Sequence, residues 1–189
     1  VKIQCGHDST GESVAMKFAD GDGTSVGAIN FDGGTVEYET FTAGHNVSIP
    51  EEDNEGGYPY GTLVKITSTA TGPKGKSVDY EGEKTTQAED KAVFGIYSCK
   101  KVHDPDGEGD YHENLHSIFC IGDGHVLVCS EGGDIELGDY ICSSNTAGHG
   151  MKQDDDLLHS YTVAKATEPV VWSSESGNTK LITCTYHSA

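Results

Sequence analysis

The sequence predicts a mainly β protein, with a strand-rich N-terminal stem followed by a small β-barrel or β-sandwich-like globular domain. Three observations carry that expectation. Short runs of alternating apolar and polar residues recur along the chain, separated by glycine-rich turns. No segment repeats apolar residues at helical spacing over more than two turns. Glycine is abundant at 25 residues while apolar residues make up only 34 % of the 189, so burial gained between copies would help a modest core.

In chain order, residues 1–5 and 13–18 read as two strands around a polar turn. Ser25-Val26-Gly27-Ala28-Ile29 and Thr35-Val36-Glu37-Tyr38-Glu39-Thr40 flank Asp32-Gly33-Gly34, the pattern of strand, tight turn and strand. Such a pair alone buries too little apolar surface to be stable in water. Residues 1–40 therefore suit a stem in which strands from different chains pair, and residues 41–189 form the globular domain.

Residues 46–59 read as an acidic loop, 61–67 as a half-buried strand and 71–91 as a mobile loop or hairpin tip rich in lysine. A strand over 91–99 leads into an acidic excursion, then two core strands at 117–121 and 124–129. Residues 135–142 are a turn feeding another strand. Asp154-Asp155-Asp156-Leu157-Leu158-His159 is the best helical turn, with aspartates at its start favoured by the helix dipole. Strands at 162–165 and 181–186 close the sheet.

The formal net charge is −19 and arginine is absent, which excludes nucleic acid and anionic membranes as partners because phosphate recognition needs concentrated positive charge. The six cysteines form no C-x-x-C pair and mostly lie in apolar runs, where a thiol serves as a small buried hydrophobe. No apolar run approaches the length of a membrane span, and no signal peptide is visible. A chain opening on Val1 reads as a fragment or a processed product.

The stretch D-G-T-S-V-G-A-I-N-F-D-G-G-T-V-E-Y-E-T over 22–40, followed by Phe41-Thr42-Ala43-Gly44-His45, resembles the junction between shaft and C-terminal domain in phage tail fibres, tail spikes and appendages. Gly138-Asp139-Tyr140-Ile141-Cys142-Ser143-Ser144, residues 148–153, residues 162–165 and the last strand at 180–187 are similar to the same group. The resemblance implies an intramolecular chaperone and tip domain of the virion that helps three chains wind together. It implies a homotrimer in contact with other virion proteins, often released by self-cleavage, and permits a tip that binds a host-surface glycan or receptor.

Three constellations could carry chemistry. Thr40 and Thr42 supply hydroxyls at the junction, His45 a base, and Glu37 and Glu39 carboxylates, the parts self-cleavage requires. The resembling group commonly cleaves at a serine–aspartate step, a dipeptide this chain lacks. His112-Glu113-Asn114-Leu115-His116 fits H-E-x-x-H, but the following run at 117–121 reads as a strand, whereas a zinc hydrolase needs a helix there. Asp104, Asp106, Glu108 and Asp110 place oxygens at alternate positions with Gly109 sixth, partly as in a Ca2+ loop, although the twelfth position is Leu115. Tyr58, Tyr60, Tyr80, Tyr111 and Trp172 could form a sugar-binding face. The expectation is a non-enzymatic structural protein without an obligatory cofactor.

Overall fold

The computed structural model describes residues 13–19, 21–23, 25–32, 35–38, 43–50, 56–71, 78–100 and 115–187. The protein is mainly β, and its chain divides into two compact units, Val1–Phe41 and Thr42–Ala189.

The first unit holds an antiparallel meander of β1 (Ser13–Ala19), β2 (Ser25–Asp32) and β3 (Thr35–Tyr38). The β2–β3 register runs from Ile29 opposite Tyr38 to Asp32 opposite Thr35, so the hairpin expected from the Asp-Gly-Gly sequence forms. Met16 and Phe18 share one face of β1, 40 % and 49 % exposed, and Lys17 and Ala19 on the other face are exposed too. Among the described side chains of this unit, none is buried.

The second unit contains β4 (Ala43–Ser48), β5 (Leu63–Thr71), β6 (Val78–Lys84), β7 (Val93–Lys100), β8 (Leu115–Cys129), β9 (Tyr140–Ser143), β10 (Gly150–Lys152), β11 (Thr162–Ala166) and β12 (Thr179–His187). Its organiser is β8, 15 residues long. The first half of β8 pairs with β4 and β7, which connect through β6 and β5 into a closed circuit of strand pairings. Its second half pairs with β12, and β12, β11, β9 and β10 form another circuit that returns to β8 at Gly150 opposite Val128. Closure satisfies backbone donors and acceptors without leaving a long edge.

Alternation along β8 turns Ile118, Cys120, Val126 and Val128 inward, while Ile121 and Asp123 face out. Val47, Tyr58, Val64, Tyr97 and Ile118 form one apolar cluster. A larger one joins Leu63 and Ile96 to Val126, Ile141, Val163 and Ile182.

Four local expectations are corrected. Residues 78–84, expected within a mobile loop or hairpin tip, form β6, which pairs antiparallel with β5: Tyr80 and Gly82 turn inward while Glu81 and Glu83 face out, so charge on one face masks an ordinary strand. The two strands expected at 117–121 and 124–129 are one. The chain runs through residues 122 and 123 without a break, and Gly124 lies against the Tyr186 hydroxyl, where a side chain would collide. The helical turn at 154–159 is a loop, because the Asp155 carboxylate caps the Leu157 amide at 3.0 Å and engages His159. The loop expected from residue 46 begins only after β4 ends at Ser48, since Val47 supplies a core side chain.

Candidate functional site

The second residue of β8 is His116, the second histidine of the H-E-x-x-H sequence. Strand pairing sets it opposite Val47 on β4 and Lys100 on β7, and the side chain is fully buried. Its Nδ1 lies 2.9 Å from the Tyr97 hydroxyl, with ring centroids 5.6 Å apart. Tyr58 packs edge-on against Tyr97 at 5.5 Å, and the Lys84 ammonium lies 5.3 Å from the Tyr58 ring centroid. Gly57, at a φ of +64°, approaches the Tyr97 hydroxyl so closely that a Cβ there would overlap it.

Burial lowers the His116 pKa, assisted by the positive charge of Lys100. Burial also raises the Tyr97 pKa, against a hydrogen bond with the Tyr58 backbone. The pair is therefore a neutral imidazole and a protonated phenol. As Leu115 and His116 lie on a strand, the helical geometry that presents both histidines of a zinc hydrolase on one face is absent at this end of the motif. What the arrangement does chemically is tie β7 to β8 through a satisfied buried hydrogen bond.

His45, the base expected at the junction, sits on β4 opposite Ile118. Its ring centroid lies 4.6 Å from Phe94 and 5.4 Å from Tyr80, and Tyr80 and Phe94 are themselves 4.6 Å apart. The imidazole is thus half-buried in an aromatic cluster. Its proposed nucleophiles Thr40 and Thr42, and the neighbouring Glu39, lie outside the described residues, as do Asp104, Asp106, Glu108, Asp110, His112 and Glu113. Among the described residues, no group of three or more His, Cys, Asp or Glu side chains is placed to hold a metal ion.

Neither family models nor curated proteins contain a match to this chain.

Cys99, Cys120, Cys129, Cys142 and Cys184 are free thiols, and burial pushes Cys120, Cys142 and Cys184 up to about 12. At that value the thiolate nucleophile is scarcely populated at neutral pH. The aromatic residues considered for sugar binding are dispersed. Tyr58 is buried, Tyr80 belongs to the His45 cluster, and the Trp172 indole donates to the Gly133 carbonyl at 2.7 Å. Tyr60 is exposed beside His125, while Tyr111 lies outside the described residues.

One polar network escaped sequence reasoning. The buried Gln153 donates to the Leu157 carbonyl at 2.6 Å and the Asp155 carboxylate at 2.8 Å, and accepts from the Thr162 hydroxyl at 2.6 Å. His159 Nε2 lies 2.9 Å from the Asp155 carboxylate, and the hydrogen bond from His159 holds the Asp155 carboxyl below its ordinary pKa. Asp155 and His159 stand four residues apart, a visible spacing, but Gln153 and Thr162 join them only once β10 and β11 are placed on β9. The network shapes a loop; it aligns no nucleophile with a base.

Proposed function

We propose that this chain is a non-enzymatic structural domain of a virion. In this reading it is the C-terminal part of a trimeric phage fibre or appendage, with the N-terminal strands in a shared stem and the remainder as the globular tip. Its physical task is registering three chains, since glycine-rich strands specify their own register weakly.

The observation that carries the reading is the contrast in burial. The β1–β2–β3 meander leaves Met16 and Phe18 40 % and 49 % exposed and, among its described side chains, buries none. A three-stranded sheet needs an apolar face covered to be stable, and strands of neighbouring copies are the cover that a stem provides. The likeness of residues 22–45 to fibre junctions points the same way. The buried neutral His116 and the buried thiols of Cys120, Cys142 and Cys184 fit a scaffold better than a catalyst.

Native mass spectrometry tests this. The intact chain is expected as a trimer of uncut subunits, and Met16→Glu with Phe18→Glu is expected to shift it to monomers. An intact chain that remains monomeric at all accessible concentrations overturns the reading.

A further inference from the structure

We propose that Leu137, Leu157 and Leu158, set among carboxylates at one end of the β9–β10 pair, form a docking surface for a segment of another protein that carries both basic and aliphatic side chains. The surface belongs to a single chain and needs no second copy. These are the three most exposed large apolar side chains among the described residues, at 68 %, 63 % and 64 %. β9 and β10 pair antiparallel with Ile141 opposite Lys152, so the turn entering β9 and the loop leaving β10 share one end of the sheet. The Gln153 amide donates to the Tyr140 carbonyl at 2.8 Å, and the Lys152 ammonium lies 2.9 Å from the Asp139 carboxylate. The charge of Lys152 also couples to Glu136 in the turn and Asp156 in the loop.

Both segments are pinned with their leucines outward. In the turn, the Asp139 carboxylate accepts from the Glu136 amide at 2.7 Å, and the Gly138 amide donates to the Ala166 carbonyl at 2.9 Å. In the loop, the Asp155 carboxylate holds the Leu157 amide at 3.0 Å, and the buried Gln153 side chain holds the Leu157 carbonyl at 2.6 Å. Folding the leucine pair back onto the sheet would break bonds made by a buried amide. Apolar groups already held in place lose little conformational freedom when a partner covers them.

Charge selects the occupant. Asp154, Asp155 and Asp156 directly precede the leucine pair, and Glu136 and Asp139 flank Leu137. The lysines of β10 and β11 are both engaged, Lys152 by Asp139 and Lys165 over the Tyr140 ring at 5.5 Å. A second copy carries the same −19 and is repelled here, as are nucleic acid and anionic lipid. A protein segment with lysines or arginines around aliphatic residues meets both demands: its charges face the carboxylates while its apolar groups cover the leucines.

The test is fluorescence anisotropy of a labelled peptide with two leucines between runs of lysine, titrated with the 189-residue chain. The comparison peptide has serines for the leucines and the same charge. Leu157→Ser with Leu158→Ser removes the apolar pair without altering net charge, and Leu137→Ser does the same in the turn should the first variant misfold by circular dichroism. The leucine peptide is expected to bind the parent roughly tenfold or more tightly than it binds the Leu157 and Leu158 variant, as when the apolar anchors of an interface are truncated. The serine peptide is expected to bind parent and variant alike. A remote control, Ile121→Ser with Leu181→Ser, is expected to match the parent. Equal binding of both peptides by the parent overturns the proposal, leaving only diffuse attraction to an acidic chain. An equal loss in the remote control overturns it too. So does a leucine variant that keeps its peptide affinity while its self-association weakens in sedimentation velocity, which would assign the patch to a second copy.

Discussion

The two units use the same strand chemistry and reach opposite outcomes. In the N-terminal unit, the described strands β1, β2 and β3 pair in sequence, and Phe18 is 49 % exposed. In the C-terminal unit, nine strands return to β8 twice, so that Ile118, Val126 and Ile182 are fully buried. Alternation was equally good in both. What differs among the described residues is closure: a sheet that comes back on itself supplies its own second layer, while a three-stranded meander that buries none of its described side chains must borrow one. This is why the first unit, rather than the second, carries the argument for assembly.

The largest expected effect sharpens that contrast. Ile182→Ala removes a fully buried side chain from the larger cluster and is expected to cost about 3–4 kcal/mol in denaturant unfolding. Phe18→Ala is expected to change the unfolding of dissociated chains by less than about 0.5 kcal/mol while weakening assembly. An equal loss at both positions in dissociated chains would erase the distinction between the units.

Gly57→Ala comes next. Its φ of +64° is strained for a side chain, and the added Cβ would overlap the Tyr97 hydroxyl. A loss of about 2 kcal/mol is expected, from strain together with displacement of the Tyr97–His116 bond. Wild-type thermal stability in Gly57→Ala would show that the loop before β5 does not support the first circuit.

A smaller, pH-dependent effect centres on His116. Burial lowers its folded pKa below the ordinary 6.5, so the neutral form is favoured by folding. The stabilisation is complete above pH 6.5 and is lost as pH falls from there through the lowered folded value. Unfolding midpoints measured between pH 7.5 and about 5 should fall, and His116→Gln should flatten that part of the profile. A wild-type profile as flat as the variant's would remove His116 as the titrating group.

The smallest effect is local. The hydrogen bond from His159 lowers the Asp155 pKa, so the loop contact is present above the ordinary 3.8 and is lost as pH falls through the lowered value. Asp155→Asn is expected to speed hydrogen exchange at the Leu157 amide without moving the global midpoint. Unchanged exchange would mean that Gln153 holds the loop by itself.

The last strand, read over 181–186 and observed over 179–187, was legible from period-two alternation, with Ile182, Cys184 and Tyr186 inward, whereas the strand read over 91–99 and observed over 93–100 was legible as an apolar run. β6 was not, because its outward Glu81 and Glu83 give the segment the composition of a loop. Local chemistry also misled at Asp155, since a carboxylate able to start a helix can instead cap a turn, and the buried Gln153 decides between them. At the candidate sites, His45 and His116 were visible as histidines, but their partners were not. Phe94 and Tyr97 lie on β7, and only the pairing of β7 with β8, together with the place of β4 beside β8, brings the rings together.

Hydrogen exchange followed against protein concentration tests the central claim most directly. Amides of Ser13–Ala19 are expected to exchange rapidly in dilute, dissociated chains and to gain protection as copies assemble, while amides around Val126 and Ile182 stay protected throughout. Strong protection of Ser13–Ala19 in chains that sediment as monomers would contradict the account, for the N-terminal sheet would then be stable without a second copy.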